Sequence, residues 1–481
     1  MTDALLQLGS RRELFLDHDL IERMDHTCLR LHEPAPGGEA IHLDQPWEGP
    51  ANYGLCVFQH AGRYFLYYRA MTIDAGDDSG VLCVALSTDG QHWEKPPLGL
   101  VERAGCRATN ISADQGGSPR MLLPWLDTRP GVPEQERIKA IASEPLNGES
   151  HTAFADPAGP KRLSFWVSPD GFTFERIDSQ PGMVSSLPNC FDGGNTLFWS
   201  EAEGQYVLYY RWYDGEWGKG WRSIARATSP DLQHWSESVP MGYSGTPREQ
   251  FYTNNTTAYF RAPHQYLAFA ARFMEGRRVL DDEQVQASGL LMAHGHFYGG
   301  DCSDAVLLTS RAGSLEYQRT FMEAYIRPGL GGSNWVSRTN YPLSGLLPLG
   351  QDQLMLFVNR HYMQSSWHIQ RLLLRVDGFA SLNAPWAGGE MLSKPFTFSG
   401  SQLELNYRTS AAGSLRVEIQ AGDGSPLAGF GLADCDEIIG DEVRRVVRWR
   451  GSPNLGGLQA RPVRLRLALR DADLFSFQFG F

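Results

Sequence analysis

Three carboxylates in this sequence each stand just before a segment with the pattern of a β-strand. Glu48 lies in "DQPWEGPANYG", Asp192 in "NCFDGGNTLFWSE" and Glu249 in "TPREQFYTNNTTAYF". Hydrolysis of a glycosidic bond uses two carboxyl groups across the scissile bond, one as proton donor and one as nucleophile or base. Phe251 and Tyr252 can desolvate Glu249 and raise its pKa, which favours it as the proton donor. Asp192 or Glu48 is then the nucleophile or base.

Two of these carboxylates also admit a structural interpretation. Glu48 can be a solvated loop residue beside a Trp47 that packs the fold, and Glu249 can form an ion pair with Arg248. Asp192 is followed by two glycines and an asparagine, and this combination of residues is more than a simple turn requires. Glycines let the backbone approach a ligand closely. The sequence therefore predicts Glu48, Asp192 and Glu249 as the catalytic set.

Amide, aromatic and basic side chains near the same segments are candidates for binding sugar hydroxyls or a carboxylate. The predicted substrate-binding residues are Trp47, Asn195, Tyr252, Asn254, Asp304, Trp335, Arg338 and Asn340. Asp304 follows a loop with His294 and His296, and this group could bind a metal ion. Because there is no third spaced ligand, we predict a substrate-facing or solvated loop, with no metal and no cofactor.

Composition limits the class of partner. The chain has 481 residues and a formal net charge of −12, and no block of Lys and Arg stands out. A nucleic acid or an anionic membrane is therefore not an expected partner. The first residues lack the pattern of a secretory signal, no apolar run is long enough to span a bilayer, and the seven cysteines are scattered. We expect a cytoplasmic protein with reduced thiols that acts on a small saccharide.

A short repeated word indicates which elements position these residues. It occurs as "ALSTDGQHWEKP", "WVSPDGFTFERI" and "ATSPDLQHWSES", with a weaker copy in "LTSRAGSLEYQR". Each copy follows a strand-like run, and its Asp can accept hydrogen bonds from the backbone of a turn. We therefore predict that Asp89, Asp170 and Asp231 stabilise outer hairpins and do not take part in turnover.

A second recurring unit lies upstream of the repeated word. It consists of a turn, an aromatic-rich strand and an Arg, as in "GRYFLYYRA", "GQYVLYYRW", "HQYLAFAARF" and "DQLMLFVNRH". With the strands that flank this unit, and with a weaker second set, we count five sets of four strands, and their irregular spacing is typical of propeller blades with variable loops. The arginines that end these strands are predicted to be scaffold residues unless they face the tunnel: Arg69, Arg211, Arg272 and Arg360.

The predicted fold class is all-β. We predict a five-bladed β-propeller with an N-terminal extension over residues 1–384 and a C-terminal β-sandwich over residues 385–481. The segment "RRELFLDHDLIERM" is expected to pack on the propeller or close a blade, and "LNAPWAGGEMLSKP" is the expected linker. In a propeller, the loops that lead into the innermost strands gather around one mouth of a central tunnel. The predicted site therefore lies there.

This architecture resembles the glycoside hydrolases of families 32, 43, 62 and 68, and most closely the family 32 pattern of propeller plus sandwich. The words "FDGGN", "YTNN", "SDAVLLTSR" and "NWVSR" are similar to those of a group of bacterial family-32-like proteins. The resemblance implies hydrolysis of a small saccharide or glycoside, furanosides included, with a nucleophile or base at the position of Glu48. The chain departs from family 32 in its motifs, since it has no Asn-Asp-Pro-Asn-Gly, no Arg-Asp-Pro and no Glu-Cys.

Two other functions fit the same residues. The aromatic and amide side chains would suit a carbohydrate-binding propeller without catalysis, because only the carboxylates favour chemistry. A glycoside phosphorylase or transferase would need a phosphate-binding Arg or His near the acid, and Arg338 and His294 keep that alternative open.

Overall fold

The computed structural model of the protein describes residues 5–71, 80–114, 120–146, 160–177, 182–216, 219–290 and 297–481. Within these ranges the regular secondary structure is almost all β-strand, arranged as five sheets of four or five strands and one ten-stranded sheet. The predicted all-β architecture, a five-bladed β-propeller followed by a β-sandwich, is confirmed. In the part of the chain that is described, no helix is long and apolar enough to span a bilayer.

The N-terminal segment joins the two parts of the fold. Its strands are β1 (Leu6–Gly9), β2 (Arg12–Leu14), β3 (Ile21–Asp25), β4 (Cys28–Leu31) and β5 (Ala35–His42). Strand β5 pairs with the last blade, where Ile41 lies opposite Ile369, and so closes the ring. The N-terminal part of the chain thus supplies the fourth strand of the last blade, which ties the two ends of the ring together. Strands β1 to β4 pair instead with the C-terminal sheet, which differs from the predicted grouping of all residues before 385 with the propeller.

The first two blades are meanders of antiparallel strands. The first contains β6 (Tyr53–His60), β7 (Arg63–Ala70), β8 (Val81–Ser87) and β9 (Ile111–Asp114). The second contains β10 (Arg120–Leu126), β11 (Ile138–Pro145), β12 (Lys161–Ser168), β13 (Glu175–Arg176) and β14 (Met183–Val184). Strand β7 is buried on both faces over its central residues. Because neighbouring blades cover both faces of a sheet, these strands read as continuous apolar and aromatic runs.

The remaining three blades follow the same plan. The third contains β15 (Thr196–Ser200), β16 (Gln205–Asp214), β17 (Trp221–Ser229) and β18 (Val239–Pro240). The fourth contains β19 (Phe251–Thr253), β20 (Thr256–Tyr259), β21 (Ala262–Met274) and β22 (Cys302–Arg311), with α1 (Asp282–Ser288) in a loop before β22. The fifth contains β23 (Leu347–Leu349), β24 (Gln353–Arg360) and β25 (His368–Arg375), together with β5.

The C-terminal sheet contains β26 (Ala380–Ala384), β27 (Gly389–Ser393), β28 (Phe396–Phe398), β29 (Gln402–Ala421), β30 (Asp441–Val446) and β31 (Val463–Gly480). Strands β29 and β31 pair over most of their length, with a break in register between Thr409 and Ser414. The predicted linker is wrong, because its residues form β26 and β27. The reason is burial, since Leu382 and Met391 pack in the apolar core of the sandwich.

The repeated sequence word forms the same turn in three blades. Asp89 Oδ1 accepts hydrogen bonds from the main-chain N–H groups of Gln91 at 2.7 Å and His92 at 2.8 Å, and Ser87 Oγ accepts one from Gly90. The equivalent bonds recur at Asp170 and Asp231. These turns follow the third strand of each blade, at the end of the strands opposite the tunnel mouth described below.

Candidate functional site

The mouth of the tunnel lies where first strands begin and second strands end. Antiparallel pairing brings these points together, as in the pairs Tyr53–Arg69 and Phe251–Arg272. A cavity of about 30 Å³ at this level is lined from all five blades, for example by Tyr53, Ile141, Asp192, Thr253 and Pro342. It shares Ile141 with a larger, mainly apolar cavity of about 340 Å³ between the innermost strands. The two cavities therefore follow the propeller axis.

Asp192 stands at this mouth, as the sequence predicts. Its side chain is 34% exposed and forms an ion pair with Arg211, which is 2% exposed and ends the second strand of the same blade. Burial acts to lower the pKa of Arg211, but Asp192 outweighs burial and raises it. Gly194 allows the close approach of two blades, because a Cβ at this position of positive φ would lie 2.7 Å from Thr253 Cα.

Tyr252 lies beside three arginines. The guanidinium carbon of Arg211 is 4.3 Å from the centroid of the Tyr252 ring, and those of Arg222 and Arg338 are each 5.4 Å from it. Burial acts to raise the pKa of the Tyr252 phenol, but Arg338 and Arg211 outweigh burial and lower it below its ordinary value. We call Asp192, Arg211, Arg222, Tyr252 and Arg338 the mouth cluster.

Further tyrosines, which the sequence did not predict as site residues, surround the mouth cluster. The ring of Tyr341 lies 5.1 Å from that of Tyr252 and 6.1 Å from that of Tyr53. Tyr298 and Tyr362 pack edge to face at 5.3 Å, and the Arg338 guanidinium carbon is 5.0 Å and 5.6 Å from their centroids. These rings exclude water from one side of the arginines, while Arg222 and Arg338 keep part of their surface exposed.

Two buried polar atoms at the small cavity have no hydrogen-bond partner among the described residues. They are the Tyr53 hydroxyl oxygen and Asn195 Oδ1, and both residues line the cavity together with Asp192. Asn195 Nδ2 donates to the Phe191 carbonyl at 3.4 Å, so its amide is anchored on one side only. Buried polar atoms are normally satisfied in native proteins. A ligand hydroxyl at the cavity could satisfy both atoms, which suits the predicted role of Asn195.

Glu48 and Trp47 lie elsewhere, between the first and fifth blades. The Glu48 carboxylate has no exposed side-chain area; it accepts hydrogen bonds from Lys95 Nζ at 2.8 and 2.9 Å and from the Tyr68 hydroxyl at 2.5 Å. Trp47 is 4% exposed and donates through Nε1 to Asn110 Oδ1 at 3.0 Å. The predicted catalytic role of Glu48 and the predicted binding role of Trp47 are corrected here, because neither side chain reaches a ligand-accessible surface.

Glu249 and Asp304 belong to an ion-pair network of the fourth blade. Glu249 accepts from Arg272 at 2.7 Å and from Arg319 at 2.8 Å, and Asp304 binds Arg272 in a bidentate manner. Burial acts to raise the pKa of Glu249, but the hydrogen bonds from Arg319 and Arg272 outweigh it and lower the pKa. A proton donor needs the opposite shift. The prediction of Glu249 as proton donor and of Asp304 as a substrate ligand is therefore corrected.

The other predicted substrate-binding residues, Asn254, Asn340 and Trp335, form hydrogen bonds within the protein. Asn254 is 1% exposed; its Oδ1 accepts from Thr196 Oγ1 and its Nδ2 donates to the Gly194 carbonyl, which joins two blades. Asn340 is fully buried and donates to the carbonyls of Ser303 and Asn334, each at 2.9 Å. Trp335 folds back on its own loop, because Nε1 donates to the Gly329 carbonyl. The polar groups of these side chains already have hydrogen-bond partners within the protein.

Among the described residues, metal-ligating side chains do not gather at the mouth. In the described ranges, no group of three or more His, Cys, Asp and Glu side chains is arranged to hold a metal ion. His294 and His296 of the sequence analysis lie outside the described residues. The groups of the mouth cluster that can take part in chemistry are therefore one carboxylate, one tyrosine of lowered pKa and three arginines.

The fold is similar to that of several solved proteins, although no protein-family model and no curated protein matches the sequence. An N-acetylgalactosamine deacetylase from F. plautii in complex with blood group B trisaccharide shares 10% identity over 73% of this chain and 96% of that chain, with a TM-score of 0.45. The Bombyx mori GH32 beta-fructofuranosidase shares 9% identity over 95% and 94%, with a TM-score of 0.39. The exo-inulinase from Aspergillus awamori shares 11% over 97% and 99%, with a TM-score of 0.37.

Proposed function

We propose that the protein is a glycoside hydrolase that acts on a small saccharide or glycoside at the mouth of the propeller tunnel. The observation that carries the proposal is a cavity on the propeller axis that Asp192 lines together with two unsatisfied buried polar atoms. Tyr252 lies next to Asp192 through their shared neighbour Arg211. A sugar presents hydroxyls that can satisfy the Tyr53 and Asn195 atoms. Its anomeric carbon would then lie above the partly exposed Asp192 carboxylate.

Asp192 is the proposed nucleophile or base. Its ion pair with buried Arg211 orients one carboxylate oxygen toward the protein, and its exposed fraction leaves the other side of the group available to substrate. Positioning of a reacting group by a fixed neighbour removes much of the entropic cost of bringing reactants together. Arg211 is thus a positioning residue, and Asp192 is the group that meets the substrate.

Tyr252 is the proposed proton-transfer group. Proton transfer is most effective when the pKa of the catalytic group lies near the working pH. The neighbouring arginines lower the pKa of Tyr252 toward that range. Tyrosine is among the side chains that act as general acids or bases, so a carboxylate–tyrosine pair is chemically reasonable. This assignment replaces Glu249, which Arg272 and Arg319 hold in its anionic form.

A panel of nitrophenyl glycosides and short oligosaccharides, pyranosidic and furanosidic, tests the proposal with purified protein. We expect cleavage of at least one member, and a Tyr252→Phe variant that loses more rate on the oligosaccharide than on the nitrophenyl glycoside. Nitrophenolate leaves without help from a proton donor, whereas a sugar alkoxide does not. Sugars that bind without cleavage would contradict hydrolysis and support a binding propeller, and cleavage that requires phosphate would support a phosphorylase.

The cellular location is part of the same proposal. We propose that the enzyme works in the cytoplasm on an imported saccharide. The burial of Cys56, Cys83, Cys190, Cys302 and Cys435 as free thiols supports this, since reduced cysteines are typical of that compartment. Cell fractionation with an antibody against the protein tests it, and recovery in the extracellular or periplasmic fraction would contradict it.

A further inference from the structure

The charges around Tyr252 do not balance within the described residues. Arg211 has Asp192 as its counter-ion. Arg222 donates to the neutral amide oxygen Oε1 of Gln250 at 2.7 Å, and Arg338 donates to the Tyr362 hydroxyl at 3.3 Å. Neither Arg222 nor Arg338 forms an ion pair with a carboxylate of the described chain. Among the described residues, the mouth therefore carries two guanidinium charges without a carboxylate partner, both within 5.4 Å of the same ring centroid.

Such an arrangement is costly unless a ligand completes it. A guanidinium group stays protonated in proteins, and partial removal from water is unfavourable without an anion nearby. Arg222 Nε is buried and has no acceptor among the described residues. Arg338 also has a φ of 61°, in the left-handed region that residues other than glycine rarely adopt. Unpaired charges and backbone strain held at one place are typical of a binding site.

We propose that Arg222 and Arg338 bind a compact oxyanion, a carboxylate, phosphate or sulfate group, beside Tyr252. Guanidinium groups match the planar geometry of such anions and donate two hydrogen bonds to them at once. This inference rests on the proposed function, in that the ligand at the mouth is a saccharide. It adds that the saccharide is acidic or that a free oxyanion binds next to it.

Neutral hexoses would leave both charges uncompensated. The apolar sides of the site support the same conclusion, because the Phe273 ring centroid lies 4.4 Å from the Arg222 guanidinium carbon and Tyr298 and Tyr362 flank Arg338. Rings that limit the access of water strengthen an ion pair formed at the mouth. Binding of the oxyanion should therefore weaken with added salt, though less steeply than at an open surface.

Isothermal titration calorimetry on the full chain tests the inference without any need for turnover. The probes are glucuronate and galacturonate, glucose and galactose as neutral counterparts, glucose 6-phosphate, and inorganic phosphate. We expect the acidic sugars to bind about tenfold tighter than the neutral ones. Tighter binding of inorganic phosphate than of any acidic sugar would also support the oxyanion site and would identify a free anion as the source.

Variants of Arg222 and Arg338 test whether these two residues bind the anion. Arg338→Gln and Arg222→Gln should each weaken binding of the preferred anion about tenfold. Arg63→Gln is the matched control, because Arg63 is exposed in the hairpin at the opposite end of the first blade. Arg338→Lys keeps the charge and should retain part of the affinity, which remains informative if the Gln variant folds poorly. Equal binding of acidic and neutral sugars, or anion binding unchanged in both Gln variants, would overturn the inference.

The outcome is separable from that of the proposed function. Cleavage of neutral glycosides without any preference for oxyanions would contradict the oxyanion site and support the proposed hydrolase activity. Tight binding of oxyanions with no glycoside cleaved would remove the hydrolase and leave the oxyanion site.

Discussion

The Arg211 guanidinium covers the Tyr252 ring at 4.3 Å and donates through Nη1 to the main-chain carbonyl of the same residue at 2.9 Å. Arg211 belongs to the third blade and Tyr252 to the fourth, so one side chain joins two blades at the tunnel mouth. The same guanidinium pairs with Asp192. The carboxylate and the phenol of the proposed site therefore share one buried cation, and their relative position depends on it.

Tyr252 should ionise at a lower pH than an ordinary tyrosine, whose pKa is about 10. The cations of Arg338 and Arg211 stabilise the phenolate, which lowers the pKa. Titration followed by the near-ultraviolet absorbance of tyrosinate should show one early group that is missing in Tyr252→Phe and shifted upward in Arg338→Gln. Arg63→Gln serves as the control. Identical titrations of the wild type and Tyr252→Phe would refute the electrostatic account.

Lys95→Met should destabilise the protein by about 3 kcal/mol, because it leaves the buried Glu48 carboxylate without its cation. The free energy of unfolding in urea measures this effect. Since the Glu48 carboxylate has no exposed area and does not belong to the mouth cluster, turnover per folded molecule should stay near that of the wild type. A large loss of turnover without a loss of stability would return Glu48 to the active site.

Glu249→Gln should lower the free energy of unfolding by about 2 kcal/mol at neutral pH, since Arg272 and Arg319 lose their anion. The pKa of Glu249 is lowered in the folded protein. Its contribution to stability is therefore present above the unfolded pKa of about 4.3 and is lost as the pH falls through the folded value. Urea unfolding at a series of pH values should show the difference from the wild type shrinking in acid. A difference that grows in acid would contradict the ion-pair role.

The repeated turns should matter for stability and not for turnover. Hydrogen bonds from His92 and Gln91 lower the pKa of Asp89, and those from His234 and Gln233 do the same for Asp231. Asp89→Ala should lower the melting temperature at neutral pH, with a smaller effect below about pH 4, where the unfolded chain protonates. Differential scanning calorimetry at both pH values checks this. Lost activity with an unchanged melting temperature would place these turns in the site instead.

The blades were predictable because local patterns determine them. The aromatic-rich runs and the Ser-x-Asp turns depend on residues close in sequence, and β7, β16, β21 and β24 lie where the repeats predict them. The N-terminal strands were harder to place. Partners such as Leu6 and Phe396 are far apart along the chain, and each strand has only a few residues with which to signal its pairing.

The sequence could not show which candidate site residues are engaged by partners far away in the chain. Asp192 and Tyr252 could be predicted from their positions at strand beginnings, but so could Glu249, and its arginine partner Arg319 lies 70 residues away. Arg211 has the same sequence context as Arg272, and each pairs with a carboxylate of its own blade, but Arg211 also covers the ring of Tyr252 in the next blade. The position of Arg211 at the mouth could have been predicted, because antiparallel pairing places the end of a second strand beside the beginning of the first.

The most direct test of the central claim compares kcat/KM of Asp192→Asn with that of the wild type on the best substrate from the glycoside panel. Asp352→Asn is the matched control, because Asp352 is exposed in a hairpin at the opposite end of the fifth blade. Melting temperatures confirm that all three proteins are folded. We predict a loss of at least about 10²-fold for Asp192→Asn and near-wild-type activity for Asp352→Asn. Near-wild-type activity of folded Asp192→Asn would contradict the proposed site.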